Sequence, residues 1–152
     1  MIVAVAFDHR GVHLREQVLE TLRAGNHEVV DLGTDTDKER IDYPDKAREL
    51  GLAISGGDAE RGVLVCGSGV GAAVAACKMA GIRACVCHDA YSAHQGVEHD
   101  DMNVLCLGSG IVGPSLAAEL VRAFLGATFD GGDRYVERLK KVEAMERQMS
   151  NG

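Results

Sequence analysis

The stretch that most constrains this chain is Gly62-Val63-Leu64-Val65-Cys66-Gly67-Ser68-Gly69-Val70-Gly71, which runs on into Ala72-Ala73-Val74-Ala75-Ala76-Cys77-Lys78. An apolar run of strand length ends at a cysteine, passes glycines at positions 67, 69 and 71, and enters an alanine-rich segment of high helix propensity. The pattern predicts strand, tight turn and helix. Glycines let the backbone turn sharply and bring its N–H groups close to a ligand, and a helix start adds partial positive charge, so such a turn suits an anion. A thiol at the last strand position faces those donors as a base or nucleophile beside an oxyanion hole. The plainer reading of Cys66 is a small buried hydrophobe, with the glycines only easing helix–sheet packing.

The rest of the chain alternates around this unit. Ile2 to Phe7 is a β-prone run of low polarity, as in a strand covered on both faces, and Asp8-His9-Arg10-Gly11 follows it directly. Val12, Leu14, Val18, Leu19 and Leu22 recur at helical spacing before Ala24-Gly25-Asn26 supplies a stop, and Glu28 to Gly33 predicts a second strand. Thr34 to Asp42 has no apolar periodicity and reads as a loop. Asp42-Tyr43-Pro44 then opens a helix, with proline favoured in the first turn. Ile82 to Cys87 predicts the fourth strand and Ala90 to Val97 a short helix. The polar cluster Glu98 to Asn103 precedes a fifth strand at Val104 to Leu107, and helices follow over Pro114 to Phe124 and beyond Gly131-Gly132.

Five strands alternating with helices predict an α/β fold: a three-layer αβα sandwich around a parallel, Rossmann-like sheet. We expect the flavodoxin-like strand order 2-1-3-4-5 and a single domain over residues 1–152. Ligands of such sheets bind at the carboxyl ends of the strands, so Asp8, His9, Cys66 and the glycine turn are expected to share a crevice, with Tyr43 at its mouth.

Composition narrows the partners. The formal charge of −7 supplies no basic excess for binding nucleic acid, although a few local cations suffice for a small phosphorylated molecule. No apolar run is long enough to span a bilayer, and Ile2 to Phe7 lacks the basic flank and the length of a signal peptide. Five cysteines, an odd number lying mostly in apolar runs, fit reduced thiols and a cytosolic, cytoplasmic protein. Cys85-Val86-Cys87 lacks zinc-ribbon spacing, and no metal site is expected.

Several motifs in fixed order resemble the ribose-5-phosphate isomerase B and galactose-6-phosphate isomerase family. They are Asp8-His9, Asp42-Tyr43-Pro44, Cys66-Gly67-Ser68-Gly69-Val70-Gly71, Ala80-Gly81-Ile82-Arg83-Ala84, and His99 through Asn103-Val104-Leu105. The resemblance implies aldose–ketose isomerisation of a sugar phosphate, with neither metal nor organic cofactor, in a homodimer or dimer of dimers whose sites take residues from two subunits. It implies Cys66 as the base and the N–H groups of Gly67, Gly69, Val70 and Gly71, with the Ser68 hydroxyl, as the anion hole. His99, aided by Asp8, is implied in ring opening. His9, Arg134 and Arg138 are implied in phosphate binding, once one extra residue after Gly131-Gly132 is allowed for.

This chain departs from the family pattern at four places. Asp100 and Cys77 stand where asparagine is common, Gly110 where a phosphate-contacting arginine is common, and Arg10 where a small or apolar residue is usual. The substrate is therefore open among four- to six-carbon sugar phosphates, and Arg10 is a candidate replacement for the missing charge at Gly110. Two alternatives stand beside the isomerase. One is a nucleotide-binding module using Gly67 to Ala72, with Asp89 as a ribose-binding acid. The other is a family member without catalysis, which the retention of Cys66 and His99 argues against.

Overall fold

The computed structural model describes residues 1–150. Strands β1 (Ile2–Phe7), β2 (Glu28–Asp31), β3 (Arg61–Cys66), β4 (Ala84–Val86) and β5 (Val104–Gly108) alternate with helices α1 (Arg15–Ala24), α2 (Tyr43–Ser55), α3 (Val70–Ala76), α4 (Ala90–Asp100) and α5 (Pro114–Gly126), and α6 (Asp133–Ser150) follows. Every strand pair is parallel. Alternate side chains of the inner strands feed two cores, as the two-residue period requires. Val3, Val5 and Phe7 of β1 join Val63, Val65, Leu105 and Leu107 against Val18 and Leu22 of α1 and Leu120 and Phe124 of α5. Ala4, Ala6, Leu64, Cys66 and Cys106 face the other way, onto Ala47 and Leu50 of α2 and Ala72 and Ala76 of α3.

The second layer is made of smaller residues because its helices press closer to the sheet. Leu50 sits over Gly62 so tightly that a Cβ there would lie 2.6 Å from its Cδ2. Burying large side chains such as Phe7 and Leu64 contributes about 1.5–3 kcal/mol each and fixes the sheet between its layers.

The α/β class and the parallel sandwich are as expected, but the strand order is β2-β1-β3-β5-β4, not 2-1-3-4-5. Burial accounts for the exchange. All five residues of β5 are buried, whereas β4 has three residues, none fully buried, and suits an edge. Returning from β4 to β5 reverses the direction of progress across the sheet, so a right-handed crossover carries α4 to the face of α1 and α5. Boundaries also differ: β2 ends at Asp31 rather than Gly33, β4 is shorter than Ile82–Cys87, and α4 runs on through Glu98, His99 and Asp100. It stops at Asp101, which takes a left-handed conformation with φ 50°. Among the described residues no helix is long and apolar enough to cross a membrane.

Candidate active site

Beyond Cys66 the chain must leave the sheet and start α3 within a few residues. Gly69 makes that possible at φ 79°, a conformation costly for any residue with a Cβ, and it passes so close to β5 that a Cβ would lie 3.0 Å from the Leu107 carbonyl carbon. The turn brings the Gly69 N–H to 3.1 Å from the Cys66 sulfur. That hydrogen bond would strengthen with negative charge on sulfur. Ser68 is exposed, its hydroxyl accepting from the Val70 N–H at 3.3 Å. The end of β5 braces the turn, with Ser109 N donating to Cys66 O and Gly110 N to Gly67 O, both at 2.9 Å.

Because β1 pairs with β3, Asp8 emerges beside Cys66, and its N–H donates to Val65 O. The buried Asp8 carboxylate accepts from the N–H groups of Arg10 (2.9 Å) and Gly11 (2.7 Å), which fixes the turn after β1. His9 Nδ1 lies 3.1 Å from Ile41 O and 3.2 Å from Ile41 N, so one ring nitrogen is tied to the 34–42 loop and Nε2 is left for the cleft. Tyr43 lies against Gly71, where a Cβ would come 2.6 Å from its Cζ. Asp8, His9, Arg10, Tyr43, Cys66, Gly67, Ser68 and Gly71 thus line one cleft of about 260 Å³, as expected for residues at neighbouring strand ends. Arg40, Ile41 and Asp42 also line it. Arg40 was missed because an arginine in a polar loop carries no periodic or motif signal. The volume is below the roughly 300–1,000 Å³ of typical ligand sites, which suits a small ligand and a cleft with a wall still open.

The other candidates lie elsewhere. α4 starts just past the carboxyl end of β4 and runs back for 11 residues, roughly 16 Å, so His99 and Asp100 lie at the strand-start edge of the sheet, opposite Cys66. His99 stacks on Tyr135 with ring centroids 4.5 Å apart. Arg134 lies over the same ring at 4.7 Å and donates to its hydroxyl, and the Arg138 guanidinium is 6.0 Å from the centroid. His99, Arg134 and Arg138 therefore form one cluster around Tyr135, a residue the sequence did not single out. None of them lines the Cys66 cleft of the same chain.

Polar residues just past β4 have structural duties. Asp89 caps α4, accepting from Ser92 N at 2.7 Å, which removes the acid that a dinucleotide reading needs at the ribose. His88 Nε2 accepts from Gly108 N at 3.1 Å. All five cysteines are free. Burial, with Cys85 beside it, pushes the Cys87 thiol up to about 12, and burial also raises Cys106 well above its ordinary value, so both stay protonated near neutral pH. Among the described residues, no group of three or more His, Cys, Asp or Glu side chains is arranged to hold a metal ion.

A parallel α/β sheet with a thiol and a glycine turn at the strand ends places this chain among α/β proteins with a small-molecule site at the carboxyl edge, and comparison with known proteins narrows the class. The family model described as Ribose/Galactose Isomerase matches residues 3–142, and this chain belongs to that family. It is 43% identical over 146 residues to ribose-5-phosphate isomerase B of Escherichia coli (strain K12), covering 96% of this chain and 97% of that protein. It is 36% identical to D-erythrulose-4-phosphate isomerase of Pectobacterium atrosepticum, with 96% and 95% covered. The structure of ribose-5-phosphate isomerase B from Clostridium thermocellum matches with a TM-score of 0.94 at 37% identity, over 98% of this chain and 99% of that one.

Proposed function

We propose that this protein is an aldose–ketose isomerase of a phosphorylated sugar, of the ribose 5-phosphate/ribulose 5-phosphate type, with Cys66 as the proton-transfer base. The observation that carries the reading is the Cys66 sulfur under the Gly69 N–H in a cleft of backbone donors, within a chain of this family. In this mechanism the sulfur takes the proton from C2 of the open-chain aldose and returns it to C1, while the hydroxyl proton passes from O2 to O1. The N–H groups of Gly67 and Gly71 and the Ser68 hydroxyl hold the enediolate oxygen, while the Gly69 N–H donates to the Cys66 sulfur and the Val70 N–H orients Ser68. Such donors act most strongly where charge develops in the transition state.

His99 with Asp8 opens the sugar ring, and Asp100 lies beside that step. His9, Arg134 and Arg138 hold the phosphate. Since His99 and the arginine pair face away from Cys66 in one chain, the reading requires a homodimer or dimer of dimers in which one copy's Cys66 cleft meets its partner's Tyr135 cluster. Two features support this. Val70 and Val74, one turn apart on α3, are 57% and 58% exposed beside the cleft, and α6 has no buried residue. In this reading residues 1–152 form one catalytic domain, and five free thiols suit the reducing cytosol.

The test is turnover on D-ribose 5-phosphate, D-erythrulose 4-phosphate and D-galactose 6-phosphate. Isomerisation of ribose 5-phosphate is expected. Preference for the four- or six-carbon compound would keep the mechanism and move the substrate, and no turnover of any of the three would overturn the proposal.

A further inference from the structure

Arg10 is the best-placed cation on the Cys66 side of the cleft, and its main chain is held at both ends. Its N–H donates to Asp8 Oδ1 at 2.9 Å, and its carbonyl accepts from Ser109 Oγ at 2.8 Å. Its side chain lies across the glycine turn. A Cβ on Gly67 would collide with the guanidinium, coming 2.8 Å from Nε, and a Cβ on Gly110 would come 3.5 Å from Nη2. Glycine at 67 and 110 thus leaves the space that the guanidinium fills, one residue from Cys66.

The charge there is uncompensated. Arg15 is paired with Asp31, Arg83 with Asp101, and Arg61 with two backbone carbonyls. Among the described residues the Arg10 guanidinium makes neither an ion pair nor a hydrogen bond. Asp8 has one oxygen committed to two N–H groups, and Asp42, the other carboxylate on the cleft, forms no salt bridge. Arg40 and His9 add further positive or donor character to the same cleft.

We propose that Arg10 is a specificity-determining residue of this site, its guanidinium gripping the phosphate of the sugar from the wall that bears Cys66. The inference rests on the isomerase reading, and it adds a cation contributed by the subunit that holds the base. A planar fork of N–H donors matches two phosphate oxygens at once, which a lysine or a neutral side chain cannot do. Docking the fork on backbone lets it meet the phosphate with little further ordering, which favours binding.

The experiment compares the full-length protein with Arg10→Ala and Arg10→Lys. It reads kcat and KM on the preferred sugar phosphate, binding of inorganic phosphate by calorimetry, and thermal unfolding. Arg10→Ala is expected to raise KM and weaken inorganic phosphate binding together by about 10- to 150-fold, the range of a lost charged hydrogen bond, with kcat and unfolding little changed. Arg10→Lys is expected to recover part of both. Phosphate binding by Arg10→Ala within twofold of the parent, or a KM rise without weaker phosphate binding, would overturn the inference and reduce Arg10 to a strut between the turns at Gly67 and Gly110. A parent protein that binds phosphate through Arg10 yet isomerises no sugar phosphate would sink the isomerase reading and leave Arg10's role as an anion ligand standing.

Discussion

The Cys66 cleft and the Tyr135 cluster are built by opposite means. The cleft is made of backbone at the ends of β1, β3 and β5, and it is braced by hydrogen bonds from Gly69, Ser109 and Gly110 that allow little adjustment. The cluster is made of side chains, with His99 on the last turn of α4 stacked on a tyrosine of a helix in which no residue is fully buried. Anion stabilisation needs fixed dipoles, and a rigid turn supplies them; ring opening and phosphate capture tolerate side chains that settle when a partner arrives. In the proposed reading, proton transfer belongs to the finished half, and ring opening and phosphate capture to the unfinished one, which a partner completes.

The largest expected effect strikes the finished half. Cys66→Ala should lower kcat by at least ~100-fold, the low end for general-base catalysis, with KM little changed. Steady-state kinetics on a variant that unfolds at the parent temperature is the check. Near-normal turnover would mean that the cleft is only a binding wall.

The second experiment joins the halves. Cys66→Ala and His99→Ala proteins, each nearly inactive, are mixed under conditions that let subunits exchange. In a two-fold dimer with shared sites, half of the dimers become mixed, and each of those carries one intact site out of two, so about a quarter of the parent activity should return. Recovery of nothing, with exchange demonstrated by mass, would show that the halves never meet.

The same contrast governs what the amino-acid sequence alone discloses. The turn at Cys66 was legible because its constraints are local: φ 79° at Gly69 and the close approach of β5 demand glycine, and glycine shows in a sequence. The position of Asp8 and His9 beside Cys66 followed from strand-end logic once β1 and β3 are neighbours, whereas their roles come from the family resemblance. The order of β4 and β5 was not legible, because both are short apolar runs and the interior place goes to the one that buries completely, a property of the whole sheet. The 98–103 segment looked like a polar loop because its charges mask the end of α4, Glu98 to Asp100, which stops only at Asp101. Tyr135 and Arg40 gave no signal, since each takes its meaning from neighbours distant in the chain.

Glycines measure how tightly each edge is packed. Gly108→Ala would push a Cβ to 2.6 Å from the Ser68 carbonyl carbon, a backbone atom that cannot swing away, and should cost about 1–3 kcal/mol as overpacking does. Gly126, at the end of α5 on the strand-start edge, has nothing within 4 Å of where a Cβ would stand, and Gly126→Ala should be neutral or stabilising by up to ~1 kcal/mol. Urea unfolding of the two variants gives the comparison. Equal losses would mean that the two edges are packed alike.

The smallest effect is one of pH, and it also belongs to the strand-start edge. His27 precedes β2 with its Nδ1 buried and without a hydrogen-bond partner, and burial, together with the nearby N-terminal amine, holds its pKa below the ordinary value. The folded state therefore binds fewer protons at this ring than the unfolded state does. The stability it confers is present above the unfolded value near 6.5 and is lost as pH falls through the lower folded value. Asp31 is also depressed, chiefly by its hydrogen bond from Arg15, but its loss comes only in the carboxylate range, well below pH 5. Unfolding free energies between pH 7.5 and about 5 thus separate the two groups. His27→Gln should flatten the decline across that window by less than ~1 kcal/mol, because partial solvation screens the burial cost. The Cys66 cleft lies at the other edge of the sheet, so phosphate binding at pH 7.5 should be the same in this variant as in the parent. An identical pH slope in parent and variant would remove His27 from the account, and weakened phosphate binding would show that the two edges are coupled through the sheet.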